Sequence, residues 1–374
     1  MISSAPTPEA NPFLAALTIE VQRCLQLRLD DNYDTSQLGA YDEARHRTDL
    51  VGPRRPEPGA DLSVAIQRLA DVGELYLMLG DERSRSLLVS LCAYRVLGFT
   101  HVKLPRNEPG YWSDIDRAAA LDTGLPGLPI RYAGLTLRCF ALSSIGYDMR
   151  VFATPQGVAC ACIQKQYEYL VGGVRCKAEP GDVVIDAGAC WGETSVYFAH
   201  EVGPVGKVYA FEFIPGNTAV LRRNVEENPR LAARVEVIEA PLWSRSNERV
   251  FFVDWGPGSR VSMEPTAYRN TTGERRTLSI DDLVSGHQVG RVDFIKMDIE
   301  GAELDALQGG ERTLRAWRPK LAISLYHKPT DFVDIPRYLR SLNLGYDYYL
   351  EHHTIYQNET VLFCVPRTSD TTGT

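Results

Sequence analysis

The sequence predicts an α/β protein: a Rossmann-like, mostly parallel sheet covered by helices in the C-terminal half, preceded by a mainly helical region. Three observations predict it. Between residues 166 and 366, strand-like and helix-like segments alternate, the pattern of a parallel sheet wrapped by helices. A buried strand, VVIDAG, runs directly into a glycine turn and a helix at 183–199. Residues 13–30 and 62–79 carry apolar side chains at three-and-four spacing, the mark of amphipathic helix.

The chain has 374 residues, enough for one large domain and an accessory region. With 44% hydrophobic and 24% charged residues the composition is that of a globular protein. Lys and Arg number 40 against 48 for Asp and Glu, and a net charge of -8 disfavours a phosphate backbone as partner. Cys24, Cys92, Cys139, Cys160, Cys162, Cys176, Cys190 and Cys364 lack the paired spacing of a structural zinc site and read as reduced core thiols. MISSAPTPEANP lacks the basic start and apolar stretch of a signal or transit peptide, and no window is apolar enough to span a membrane. A cytoplasmic protein is expected.

The first helical segments are separated by a polar break ending in GPRRPEPGAD, whose prolines and glycines forbid regular structure and whose Asp61 can cap the next helix. A third helix, 84–97, stops at Gly98. Residues 1–125 are thus an accessory or substrate region. Residues 126–165 form a short β-rich connector, with RYAGLTLRCFAL and RVFATPQGVACACI as its runs. The α/β domain occupies 166–366 through VVIDAG, KVYAFE, RVEVIEA, VDFIKMD, KLAISLY and ETVLFCV, and 367–374 is a frayed tail.

Chemistry concentrates at the ends of these strands. In VVIDAGACWGETSVYFA the strand ends at Asp186, and Gly188 and Gly192 mark a turn that lets the backbone approach a ligand closely, while the N–H groups of the helix start can receive a polar or anionic group. The spacing is G-x-x-x-G, not the G-x-G-x-x-G that makes room for a pyrophosphate, so a nucleoside without phosphate fits better. Glu212, ending KVYAFE, can accept both hydroxyls of a ribose. Each feature alone has a bland alternative, a plain turn or a solvated strand-end acid. Together in one β-α-β unit they point to an adenosyl-binding site. In VDFIKMDIEGAELDALQGG a hydrophobic strand delivers Asp298 and Glu300 to the edge where ligands bind in open α/β sheets. Those acids can hold an amino group, a substrate hydroxyl or a divalent cation, or simply favour a helix start together with Glu303. His327, after the next strand, is a candidate general base or acceptor-binding residue.

In order, IDAGACWGETS, FEFIPGNTAVLRRNV, TLSIDDLV, DFIKMDIEGAELDALQGG, RPKLAISLYHKP and ETVLFCV resemble the FkbM family of S-adenosylmethionine-dependent methyltransferases, over roughly 165–365. The segment LMLGDERSRSLLVSLCAYRVLG is similar, less specifically, to the N-terminal region of longer members that accompany glycan and natural-product gene sets. The resemblance implies a class I methyltransferase fold, seven strands with the last antiparallel, and methyl transfer to oxygen. It carries cofactor binding onto Asp186, Gly188, Glu212 and the Gln166–Tyr167 pair; Gly192, Glu193, Phe213, Ala240 and Asp298 adjoin these and join the same expected site. Some relatives hold magnesium through carboxylates. Here only Asp298 matches, so no metal ligand is assigned.

The expected cofactor is therefore S-adenosyl-L-methionine. The expected reaction is O-methylation of a small-molecule or glycan hydroxyl, with His327, Asp298 and Glu300 as the catalytic set. The N-terminal helices and the 256–276 segment are expected to close over the acceptor; for that segment a passive loop is the alternative. Two other classes compete. An NAD-dependent oxidoreductase also places a glycine turn and an acid on successive strands, but the missing G-x-G-x-x-G argues against it. A non-catalytic nucleoside-binding protein would not need Asp298, Glu300 and His327.

Overall fold

The computed structural model describes residues 11–27, 29, 62–265 and 271–367. Asp61 and the tail beyond Arg367 lie outside them. The chain divides into two compact units, one of residues 1–112, 325–343 and 347–362, the other of 113–324, 344–346 and 363–374. Among the described residues no helix is long and apolar enough to cross a membrane.

In the first unit, helices span Pro12–Leu25, Leu62–Met78, Glu82–Leu97 and Asp331–Ser341. Each start and stop has a local cause. Asn11 Oδ1 accepts from the Phe13 and Leu14 amides at 3.1 and 3.3 Å and Pro12 opens the helix, which buries Phe13, Leu17 and Cys24 along one face. Asp81 caps the third helix through the Ser84 amide at 2.7 Å, and Gly98, at φ 77°, ends it as expected. Arg337 pairs with Glu74 at 2.7 Å between the fourth and second helices.

The second unit opens on a small antiparallel sheet, β1 (Leu128–Pro129), β2 (Thr136–Ala141) and β3 (Arg150–Ala153). The β-rich expectation fails just beyond it. Thr154 accepts from the Gly157 amide at 3.0 Å and Pro155 opens a short helix, Pro155–Val158, which continues as a π-turn over Ala159–Ile163. VACACI is therefore helical: its side chains satisfy a strand pattern, but the cap and proline before it set the backbone.

The main sheet has seven strands in the order β12-β13-β11-β10-β4-β5-β6. These are β4 (Val183–Ala187), β5 (Lys207–Phe211), β6 (Val235–Ile238), β10 (Phe294–Met297), β11 (Lys320–Ser324), β12 (Tyr346–His352) and β13 (Thr360–Pro366). It is mostly parallel, with the last strand antiparallel. Ala187 stands opposite Phe211 and Met297, so the ends of β5, β4 and β10 are level. Val184, Ile185, Ala187, Phe294, Ile295 and Met297 are all fully buried, which is why β4 and β10 read as continuous apolar runs. The seventh strand is β12: its YDYYLEH sets two acids among three tyrosines and stands outside the six alternating segments.

A third sheet, in the order β8-β7-β9, is built from β7 (Arg249–Val253), β8 (Arg260–Ser262) and β9 (Gly273–Arg276). Within the 256–276 segment, Arg260–Ser262 and Gly273–Arg276 are thus strands paired with β7; residues 266–270 lie outside the description. All eight cysteines are free thiols, seven of them buried and Cys190 half-buried.

Candidate active site at the ends of the central strands

Strand β4 delivers Asp186 to the centre of the second unit, where it is wholly buried. One carboxylate oxygen accepts the Thr194 and Ser195 hydroxyls at 2.8 and 2.6 Å, while the other lies 3.1 Å from Lys296 Nζ. That ammonium, itself buried, also donates to the Ala187 and Gly188 carbonyls at 3.1 and 2.6 Å. Burial disfavours its charge, but Asp186 and Asp298 more than restore it and hold its pKa above the ordinary lysine value.

Gly188 sits at φ 80°, and a β-carbon there would lie 1.8 Å from the Asp298 carbonyl oxygen, so no other residue fits. Its amide and that of Ala189 both donate to the Phe211 carbonyl, at 3.1 and 2.9 Å. The end of β5 thus takes up both of these turn amides.

Glu212 closes β5 and is 7% exposed. Oε1 accepts from the Phe213 and Ile214 amides at 2.7 and 2.8 Å, and Oε2 from Asn217 Nδ2 at 3.2 Å. Burial pushes its carboxyl up to about 7 against these hydrogen bonds. Asn217 also donates to the Gly256 carbonyl at 3.1 Å, tying the acid to the β7–β8 connection.

Beside these strand ends lies a cavity open to solvent. Of the expected site residues, Gly188, Glu212, Phe213, Ala240, Asp298 and Glu300 line it, together with Asn217, Gly256 and Ser259. Asp186, Gly192, Glu193, Gln166 and Tyr167 do not. Gly192 precedes the helix Glu193–Glu201 at φ 89°, against Leu221. Glu193 has a buried Oε2, and desolvation lifts its carboxyl to about 7. Gln166 is buried, and Tyr167 reaches the cavity wall indirectly, donating its hydroxyl to Asp298 Oδ2 at 2.9 Å. Glu300, in the left-handed region at φ 56°, lies 3.4 Å from Arg260 Nε on β8. Glu303 accepts the Ile299 amide at 2.8 Å, the capping role weighed for it. His327 belongs to the first unit, three residues beyond the end of β11, with its ring centroid 4.1 Å from that of Tyr326.

Two residues escaped the sequence reading. Lys296 carried a signal, a single charge inside the apolar run VDFIKMD, which must be paired if buried. Asn217 carried none beyond its place in the first turn after Pro215.

Residues 186–348 match the family model of the methyltransferase FkbM domain. Over those residues, somewhat less than half of the chain, the protein is similar to that domain. A solved methyltransferase FkbM from Methylobacillus flagellatus KT is similar at 20% identity and a TM-score of 0.51, over 81% of this chain and 60% of that one. The present chain thus spans less than two thirds of that relative's length. Aeropyrum pernix fibrillarin, solved with bound S-adenosyl-L-methionine, aligns at 15% identity and a TM-score of 0.35, over 62% of this chain and 90% of that one. A putative O-methyltransferase from Klebsiella pneumoniae aligns at 11% identity and a TM-score of 0.34, over 77% and 100%. No curated protein is matched by the sequence. The matched residues include every strand end that lines the cavity.

Proposed function

We propose that this protein is a cytoplasmic S-adenosylmethionine-dependent O-methyltransferase acting on a hydroxyl of a glycan, a sugar-containing compound or a natural-product small molecule. The observation that carries the reading is Glu212. Its carboxylate lines the cavity at the end of β5, next to a glycine turn on β4, where a ribose diol can donate to it. The turn itself argues for the type of nucleoside. With the Gly188 and Ala189 amides bonded to Phe211, it offers little to a pyrophosphate, which disfavours a dinucleotide.

Bound there, the cofactor would supply a methyl group already activated by its sulfonium. The protein then has to hold the acceptor oxygen in line and take its proton. Glu212 would orient the ribose, and Phe213 and Ala240 would flank the base. Asp298 supplies a carboxylate at the cavity wall for the cofactor's ammonium or the acceptor's proton, and His327 is the other candidate base. Calorimetry tests the reading: S-adenosylhomocysteine should bind and NAD should not. Tight NAD binding without any response to S-adenosylhomocysteine would favour an oxidoreductase.

A further inference from the structure

We infer that Lys296 is a positioning residue whose ammonium fixes the shape of the cofactor turn. This rests on the reading of that turn as part of the cofactor site. Lys296 comes from β10, where only apolar residues would be expected, and its stem runs through the core to the tip of β4. There its Nζ meets three acceptors: Asp186 Oδ1 at 3.1 Å, the Ala187 carbonyl at 3.1 Å and the Gly188 carbonyl at 2.6 Å.

The geometry of those acceptors matters more than their number. An ion pair with Asp186 alone would balance charge and leave the turn free. The bond to the Gly188 carbonyl instead fixes the plane of the Gly188–Ala189 peptide. One end of that peptide faces Lys296 and the other donates to Phe211. Asp298, two residues along β10, supplies the carbonyl against which Gly188 is packed with no room for a β-carbon. Asp186 extends the same clamp to the Thr194 and Ser195 hydroxyls at the start of the next helix. One buried cation therefore ties two strand ends and a helix start into one rigid wall. The Tyr167 ring, 5.2 Å from Nζ, covers it.

The test uses the full chain carrying Lys296→Met, and Asp186→Asn with Lys296→Met, which leaves no unpaired buried charge and protects against simple unfolding. Amide hydrogen exchange is read at Gly188 and Ala189, and S-adenosylhomocysteine affinity by calorimetry. In the double variant the turn amides should exchange at least about ten-fold faster while β5 and β6 stay protected, and affinity should fall about ten-fold or more. Wild-type protection of the turn, or wild-type affinity despite lost protection, overturns the inference. Should the unmodified protein fail to bind S-adenosylhomocysteine, the cofactor reading fails, and the exchange data still decide whether Lys296 fixes the turn.

Discussion

Tyr167 donates its hydroxyl to Asp298 Oδ2 at 2.9 Å, linking the segment upstream of β4 to the acid that follows β10. The bond restricts the carboxylate at the cavity wall, and a hydrogen bond to a charged group is worth about 1.5–3 kcal/mol. Tyr167→Phe should lower kcat roughly ten-fold if Asp298 must be oriented for transfer, with S-adenosylhomocysteine affinity changed less than about three-fold. An unchanged kcat would show that Asp298 needs no such restraint.

Glu212 gives a prediction with a definite sign. Its carboxyl is raised to about 7 by burial, so below that pH it carries a proton and loses acceptor capacity, and above it both oxygens accept. Affinity for S-adenosylhomocysteine should rise with pH through about 7 and then level off. Glu212→Gln should flatten the profile and weaken binding about ten- to hundred-fold, the range expected for charged hydrogen bonds to a ribose. Asn217→Ala removes a bond that holds the acid down, so the midpoint should move upward. A wild-type profile in Glu212→Gln would take the acid out of the site.

That Gly188 and Glu212 stand out in the sequence as strand-end residues, while Asn217 does not, has a single origin. A strand that is buried on both faces must be apolar, and a turn packed against a neighbouring carbonyl must be glycine, so β4, β10 and their ends are written in residue type. Asn217 is chosen for one hydrogen bond in three dimensions, which no local pattern encodes. The misreading of 155–163 is of another kind: small apolar residues suit helix and strand alike, and only Thr154 and Pro155 discriminate. In 256–276 the glycine-flanked ends suit a lid, with a passive loop as the alternative, whereas β8 and β9 both pair with β7, which lies before the segment.

Glu193 separates a cofactor contact from a cost of folding. Its Oε2 is buried without a hydrogen-bond partner, and desolvation raises its pKa from 4.5 to about 7. A carboxyl raised on folding costs nothing below the unfolded value. It destabilises progressively between about 4.5 and 7 as the unfolded state ionises first, by up to about 3 kcal/mol above that window. Glu193→Gln should therefore raise Tm at pH 8 and leave it nearly unchanged at pH 4.5. If S-adenosylhomocysteine affinity also stays constant, Glu193 is not a cofactor ligand; a clear loss would place it among the groups that bind.

If the acceptor is a hydroxyl, as proposed, its proton must go to a base, and His327 and Asp298 follow the ends of neighbouring parallel strands, β11 and β10. If His327 takes it, His327→Ala should lose roughly 100- to 10,000-fold in turnover with little change in cofactor affinity, the usual scale of general acid–base catalysis. The limb of the pH–rate profile at low pH should vanish with it, because only neutral imidazole accepts a proton. A histidine that merely positions the acceptor gives another pattern: His327→Gln keeps a hydrogen bond and much of the activity, and the limb survives. Asp298→Asn then becomes the decisive variant, since a carboxylate base is lost on amidation while its size and one acceptor remain. Should both variants stay active, a chelator titration is the next measurement, because a divalent cation can lower the hydroxyl's pKa without any side-chain base.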